Sequence, residues 1–252
     1  MKWTIGEFMD QSWVPDSLHA TLRDVLGFHL RLTLGYYYRW AAAEALAKAK
    51  RLGASKVVEL GAGSAGFSET LARMVRDRGE DLTVEISDLH PQPARYRELE
   101  QMFPGIVSAH VEPLNFLTRT EPSPTDIVVF SAAFHHIPKG DRHAVLAGMR
   151  GRRVLIFESV TRNLPSIFGC AVGFLPAMLT PLYFLGTAQG RWRRFVWCWL
   201  LPVAPLMVAW DGVVSCVRCW TEDEWRSELA RLGIGAKSVT IERRRFSHMI
   251  GW

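Results

Sequence analysis

Residues 57–68 read VVELGAGSAGFS. A short apolar run, Val57-Val58-Glu59-Leu60, leads into Gly61, Gly63 and Gly66, and a helical pattern follows from about Ser68 to Arg76. Glycine at such a turn lets the backbone bend tightly and come close to a ligand. A plain strand-to-helix turn uses the same residues, so the triplet alone is a weak signal. Two acidic residues strengthen it. Glu59 stands two residues before Gly61, and Asp88 closes the next apolar run, Leu82 to Ser87, twenty-two residues after Gly66. A carboxylate at that place can accept hydrogen bonds from ribose hydroxyls.

Outward from this turn the alternation continues. Ile106 to Val111 reads as a third strand, Glu121 to Thr125 as a loop, and Asp126 to Ser131 (DIVVFS) as a fourth strand. A helix over Lys139 to Arg150 precedes a fifth strand, Arg153 to Glu158 (RVLIFE). Nearly unbroken apolar runs separated by helical spacers predict a parallel sheet covered on both faces, an α/β fold. Upstream, about 15 to 50 reads as helix. Pro15 and Asp16 suit its start, and Leu18, Leu22, Val25 and Leu26 recur at three-and-four spacing. Gly35 before Tyr36-Tyr37-Tyr38 is expected to break it, with a second helix over Arg39 to Lys50 ended by Gly53. The last part holds a helix near Glu222 to Leu232, a basic run Arg243-Arg244-Arg245, and an apolar strand near His248 to Trp252.

The rhythm breaks after the fifth strand. Asn163 to Gly190 carries no charge, Arg191-Trp192-Arg193-Arg194 follows, and Phe195 to Trp210 is again uncharged. As helices these stretches would be about 42 Å and about 24 Å long at 1.5 Å per residue, against a hydrocarbon core of roughly 30 Å. Pro165, Pro176 and Pro181 argue against one straight helix in the first, and Pro202 and Pro205 interrupt the second. Two crossings would put the arginine loop on the outer side, against the positive-inside tendency. A hairpin lying in one leaflet instead sets the arginines among lipid phosphates, with Trp192, Trp197 and Trp199 at the interface. A hydrophobic lid or a dimer interface remains the soluble alternative. Asp211, Ser215 and Arg218 are polar residues in this apolar setting and read either as a buried network or as acceptor contacts.

Composition bounds the function. In 252 residues, 48% hydrophobic and 22% charged, a mostly disordered chain is excluded, and one enlarged domain is expected. The net charge of +5 allows an acidic membrane surface or an anionic substrate without implying nucleic acid. Four cysteines, at 170, 198, 216 and 219, do not make a disulfide scaffold. Cys216 and Cys219 form a single C-x-x-C with no second pair, so no metal is expected. The opening MKWTIGEFMD lacks a secretory pattern, which places the expected active part on the cytoplasmic side. The organisation expected is an N-terminal helical cap over 1–54, a cofactor-binding core over 55–162, an apolar hairpin over 163–210, and completion of the core over 211–252.

With these residues in view, the sequence resembles class I S-adenosylmethionine-dependent methyltransferases. ELGAGSAG matches the cofactor loop, ISDLHP the ribose loop, DIVVFSAAFHH the fourth strand and RVLIFE the fifth, over about residues 55 to 160. The family commonly spaces its loop as G-x-G-x-G, whereas this chain has Ala65 and then Gly66. The glycine spacing also suits a nicotinamide enzyme, a rival that Glu59 and the AFHH after strand four argue against. The resemblance implies a Rossmann-like sheet covered by helices, with N-terminal helices and an apolar helical hairpin inserted after strand five. It implies S-adenosyl-L-methionine as cofactor. Glu59 and the Gly61-Ala62-Gly63 backbone would hold its methionine part, and Asp88 its ribose, with Leu89 beside the adenine. The stretch Glu112 to Phe116 (EPLNF) aligns with the adenine-reading loop, offering Asn115 and Phe116, with Glu112 as the other acceptor. Phe130 and Ser131 would lie under the sulfonium.

His135 and His136 follow strand four, where an open α/β sheet places its active site, and histidine titrates near neutrality. They are the candidate bases; packing or cofactor-site roles are the alternative. Glu158 is a second candidate, or a partner of Arg162. Tyr36, Tyr37, Tyr38 and Arg39 either close over the cofactor or belong to a support helix. Beyond the core, the proline-rich insertion, WDGVVSCVR and the terminal IGW resemble a group of bacterial, membrane-associated methyltransferase-like proteins of undefined substrate. The expected function is methyl transfer to a lipophilic small molecule, oxygen before nitrogen or carbon. The hairpin would sit on the cytoplasmic face of a membrane. A non-catalytic cofactor-binding module that docks through the hairpin is the second expectation.

Overall fold

The computed structural model describes residues 6–29, 32, 35–115, 126–186, 188–244 and 247–252. Phe116, the 121–125 loop and Arg245 lie outside them. Two compact units are present: residues 1–35 with 160–219, and residues 36–159 with 220–252.

The larger unit is built on α2 (Gly35–Leu52), β1 (Lys56–Leu60), α3 (Gly66–Arg78), β2 (Thr83–Ser87), α4 (Pro93–Met102), β3 (Val107–Ala109), β4 (Ile127–Ser131), α5 (Arg142–Gly148), β5 (Arg153–Glu158), α11 (Glu222–Arg231), β6 (Thr240–Arg243) and β7 (His248–Gly251). The seven strands run β3-β2-β1-β4-β5-β7-β6. The first five are parallel, whereas β7 is antiparallel to both β5 and β6. The parallel core is the one that the alternating runs predict, and the whole sheet is the Rossmann-like one that the family resemblance implies. The strand order reverses between β1 and β4, the place where open α/β sheets bind ligands at their carboxyl ends.

Period-two alternation assigns the faces. Val58, Leu60, Val128, Phe130, Val154, Ile156 and Ile250 share one buried face with Val145 and Leu146 of α5 and Trp225 and Leu229 of α11. Each such side chain contributes roughly 1.5–3 kcal/mol when removed from water. On the other face Phe157 meets Trp40 of α2 edge-on and Phe67 of α3. Ala41, Ala42, Ala45 and Ala49 are buried along α2, where alanine allows close approach and helps helix formation. The structure corrects one boundary. α2 begins at Gly35, so the three tyrosines lie in its first turns rather than in a break. It ends as expected at Gly53, whose φ is +61°.

In the smaller unit, α1 (Asp16–His29) turns Leu18, Leu22 and Val25 toward Ala177, Cys198 and Ala204. The uncharged first stretch is three short helices, α6 (Leu164–Val172), α7 (Phe174–Ala177) and α8 (Thr180–Tyr183). The second is α9 (Arg191–Phe195), a π-helical turn Val196–Leu200, and α10 (Val203–Arg218). Among the described residues no single helix is long and apolar enough to cross a membrane; Arg191–Leu200 and Val203–Arg218 reach that length and composition only as a pair bent by 73°. Asp24 holds Arg193 at 2.7 Å and Arg194 at 2.9 Å. Asp211 accepts from the backbone N–H groups of Phe8 (2.6 Å) and Met9 (3.1 Å), and Ser215 and Arg218 reach the buried Glu7. These three polar residues therefore form a network that ties α10 to the N-terminal turn.

Candidate active site

The turn after β1 is held from the end of β2. The N–H groups of Gly61 and Ala62 both donate to the Ser87 carbonyl at 3.0 Å. Gly63 donates its N–H to Asp88 Oδ2 at 2.8 Å, and His90 donates its own to Oδ1 at 2.7 Å. Tyr96 of α4 donates to the Gly63 carbonyl at 3.2 Å. Gly61 and Gly63 have φ of +73° and +53°, which glycine adopts without strain. Ala65 also takes the left-handed region, at φ +58°, so this alanine performs the turn at a cost of roughly 1–2 kcal/mol.

Gly66 is required for a different reason. A Cβ there would lie 2.8 Å from the Tyr38 ring. Gly66→Ala is therefore expected to destabilise the protein by on the order of 1 kcal/mol through overpacking. Adding Tyr38→Ala should remove most of that penalty, read by urea denaturation as a double-mutant cycle; additive effects would mean the contact is not the cause.

Glu59 is buried at the end of β1 and accepts from Ser68 Oγ, in the first turn of α3, at 2.5 Å. Burial pushes its carboxyl up to about 8, and the Asp88 charge acts in the same direction against the Ser68 hydrogen bond. A positively charged ligand beside Glu59 and Asp88 would offset both effects. The donor set thus suits the ammonium and sulfonium of the expected cofactor, with Asp88 beside the turn for hydroxyls. Leu89, Glu112 and Asn115 are exposed, so these adenine-side assignments rest on the resemblance alone.

The second cluster lies at the ends of β4 and β5. Ala132, at φ +52°, turns the chain after β4 and donates its N–H to the Phe157 carbonyl at 2.8 Å. The following single turn, Phe134–His136, buries His135. Its Nδ1 lies 2.6 Å from Glu158 Oε2, and its backbone N–H donates to Oε1 at 3.1 Å. Arg142, fully buried over the rings of Phe134 and Trp220, donates to the His135 and Ile137 carbonyls at 2.9 Å each. Burial raises the Glu158 carboxyl, but the charge and hydrogen bond of His135, with His248 and His136, hold it below the usual carboxylate range. In the neutral form of the ring, an ionised Glu158 selects the tautomer in which Nδ1 donates and Nε2 is left to accept. His136 is exposed, its ring 4.4 Å from that of His135. The buried Tyr37 donates to the Phe157 carbonyl at 3.0 Å and lies 3.4 Å from Ser131 Oγ.

The structure thus gathers Glu59, Gly61, Ala62, Gly63 and Asp88 around one turn, and Ser131, His135 and Glu158 at the neighbouring strand ends. Ser68, Tyr96 and Arg142 were not legible as site residues. Ser68 carries a usable signal, a hydroxyl in the first helical turn nine residues after an acid; the other two depend on tertiary contacts.

No family model and no curated protein matches this sequence. Solved structures do resemble its fold. A proposed O-methyltransferase from Nostoc punctiforme PCC 73102 superposes over 99% of this chain and 65% of its own, with a TM-score of 0.55 at 10% identity. An O-methyltransferase from neocarzinostatin biosynthesis, solved with S-adenosyl-L-homocysteine and 1,4-dihydroxy-2-naphthoic acid, matches over 94% of this chain and 58% of its own (TM-score 0.53, 16% identity). A mitomycin 7-O-methyltransferase matches over 92% and 53% (TM-score 0.48, 14% identity). The chain spans between about half and two thirds of the length of these structures, and what it shares with the first two is the fold of S-adenosylmethionine-dependent methyltransferases.

Proposed function

We propose that this chain is a methyltransferase that takes S-adenosyl-L-methionine and methylates a hydroxyl oxygen of a lipophilic small molecule at the cytoplasmic face of a membrane. The observation that carries the reading is the left-handed Gly61–Gly63 turn, held by Asp88 and backed by the buried acid Glu59. The cofactor supplies an activated methyl group on a positively charged sulfur. Glu59 and the turn bind the methionine end, and Asp88 accepts from the ribose. Alignment of this kind can supply on the order of 7–11 kcal/mol of a barrier. His135, oriented by Glu158 and Arg142, takes the acceptor's proton on Nε2 as its oxygen receives the methyl group.

Calorimetry with S-adenosylmethionine and S-adenosylhomocysteine tests binding. Incubation of lipid extracts with methyl-labelled cofactor, read by mass spectrometry, tests transfer. No heat with either compound at millimolar concentration overturns the reading, and a parallel titration with nicotinamide cofactors tests the rival. Binding without any methylated product favours a non-catalytic module, the second reading.

Leu164, Phe168 and Trp192, which are 80%, 68% and 76% exposed, support the membrane part of the proposal. Exposed apolar side chains beside arginines suit an interfacial position. Exchanging these three for serine is expected to abolish co-flotation with anionic phospholipid vesicles. Undiminished flotation would mean that the 163–210 segment is not the anchor.

A further inference from the structure

In the smaller unit, α6 and α10 approach as closely as glycine permits. A Cβ on Gly212 would lie 3.1 Å from Cys170 Cβ, 3.2 Å from its Sγ and 3.9 Å from its Cα. Cys216 stands one helical turn after Gly212 and so lies on the same face of α10. Its Sγ is 3.7 Å from that of Cys170 and 3.4 Å from Ser166 Oγ. The two thiols thus face each other across this close contact, one bond formation away from the S–S separation of about 2.05 Å.

We propose that Cys170 and Cys216 are a dithiol site that a peroxide closes to a disulfide, independently of the methyl-transfer reading. Two S–H bonds break and one S–S bond forms. The thiols lose two electrons and two protons, and the peroxide O–O bond takes them up, so hydrogen peroxide leaves as two waters. The chemistry of the pair is asymmetric. Hydrogen bonds from Cys170 and then Ser166 hold the Cys216 thiol below its ordinary value against burial, whereas Cys170 is pushed up. Cys216 is thus the more readily ionised thiol of the two, and the half-buried Cys170 beside it opens the pair to the oxidant. The other cysteines are placed differently. Cys198 is pushed up to about 12 by burial, and Cys219 donates to the Val160 carbonyl at 3.5 Å.

The test is peroxide treatment of the full chain, followed by alkylation and peptide mapping. The expected result is a mass loss of two hydrogens, a cross-linked peptide pair carrying Cys170 and Cys216, reversal by dithiothreitol, and a higher unfolding temperature in the oxidised form. Cys219→Ser should keep the cross-link, and Cys170→Ser and Cys216→Ser should each lose it while retaining the helical circular dichroism of the parent. A Cys216–Cys219 bond, or oxidation of Cys216 to sulfinic acid with Cys170 still alkylatable, overturns the proposal.

Discussion

His135→Gln is expected to lower the turnover number by about 100- to 10,000-fold, the range a positioned general base contributes. Affinity for S-adenosylmethionine should stay the same, because the histidine belongs to the β4–β5 cluster and not to the glycine turn. Glutamine is chosen because it keeps a hydrogen-bonding group beside the buried Glu158; alanine would leave that carboxylate without its partner and confound activity with folding. Glu158→Gln should act in the same direction but less strongly, since it removes the group that fixes the ring's tautomer and leaves the ring in place. Single-turnover kinetics with a confirmed acceptor provide the measurement. A loss of only a few-fold in His135→Gln would remove histidine from the chemistry, and a matching collapse of cofactor affinity would make its role structural.

Asp88→Ala is expected to weaken cofactor binding by at least about tenfold, roughly 1.4 kcal/mol for one charge-assisted contact. The carboxylate has two tasks that can be separated. In the protein as described it restrains the turn, taking the Gly63 and His90 N–H groups on its two oxygens. The proposed ribose contact would use remaining lone pairs. Asp88→Asn keeps one oxygen for the Gly63 N–H, gives up only the exposed His90 contact, and loses the charge. If the ribose contact is real, Asn should bind the cofactor more weakly than the parent while melting at nearly the same temperature without ligand. Equal calorimetric affinity in all three proteins would refute the ribose assignment.

Much of the sheet was legible because its strands are local signals. VVEL, DIVVFS and RVLIFE are apolar runs bounded by turns or charge, and the acids that end or interrupt them mark the carboxyl edge. The short β6 carries no such signal, since Thr240, Glu242 and Arg243 are exposed. The partnerships within the site were less legible because they close over long separations. His135 meets Glu158 across 23 residues, and Tyr37 reaches Phe157 across 120. No spacing rule encodes such pairs. The three tyrosines show the limit most plainly. A glycine followed by bulky rings reads as a helix break, yet burial of Tyr37 and the contact of Tyr38 with Gly66 carry the helix through them.

The smaller unit joins two passages made far apart in time. The apolar face of α1, with Leu18, Leu22 and Val25, packs against Ala177, Cys198 and Ala204. At roughly 5–20 residues per second, a ribosome needs on the order of ten to forty seconds between making the first of these side chains and the last. For most of that interval, until Ala177 is made, the face of α1 lacks all three of these partners. A nascent chain of this design is a natural client for holding factors, and slowing translation over 160–204 should lengthen its dependence on them.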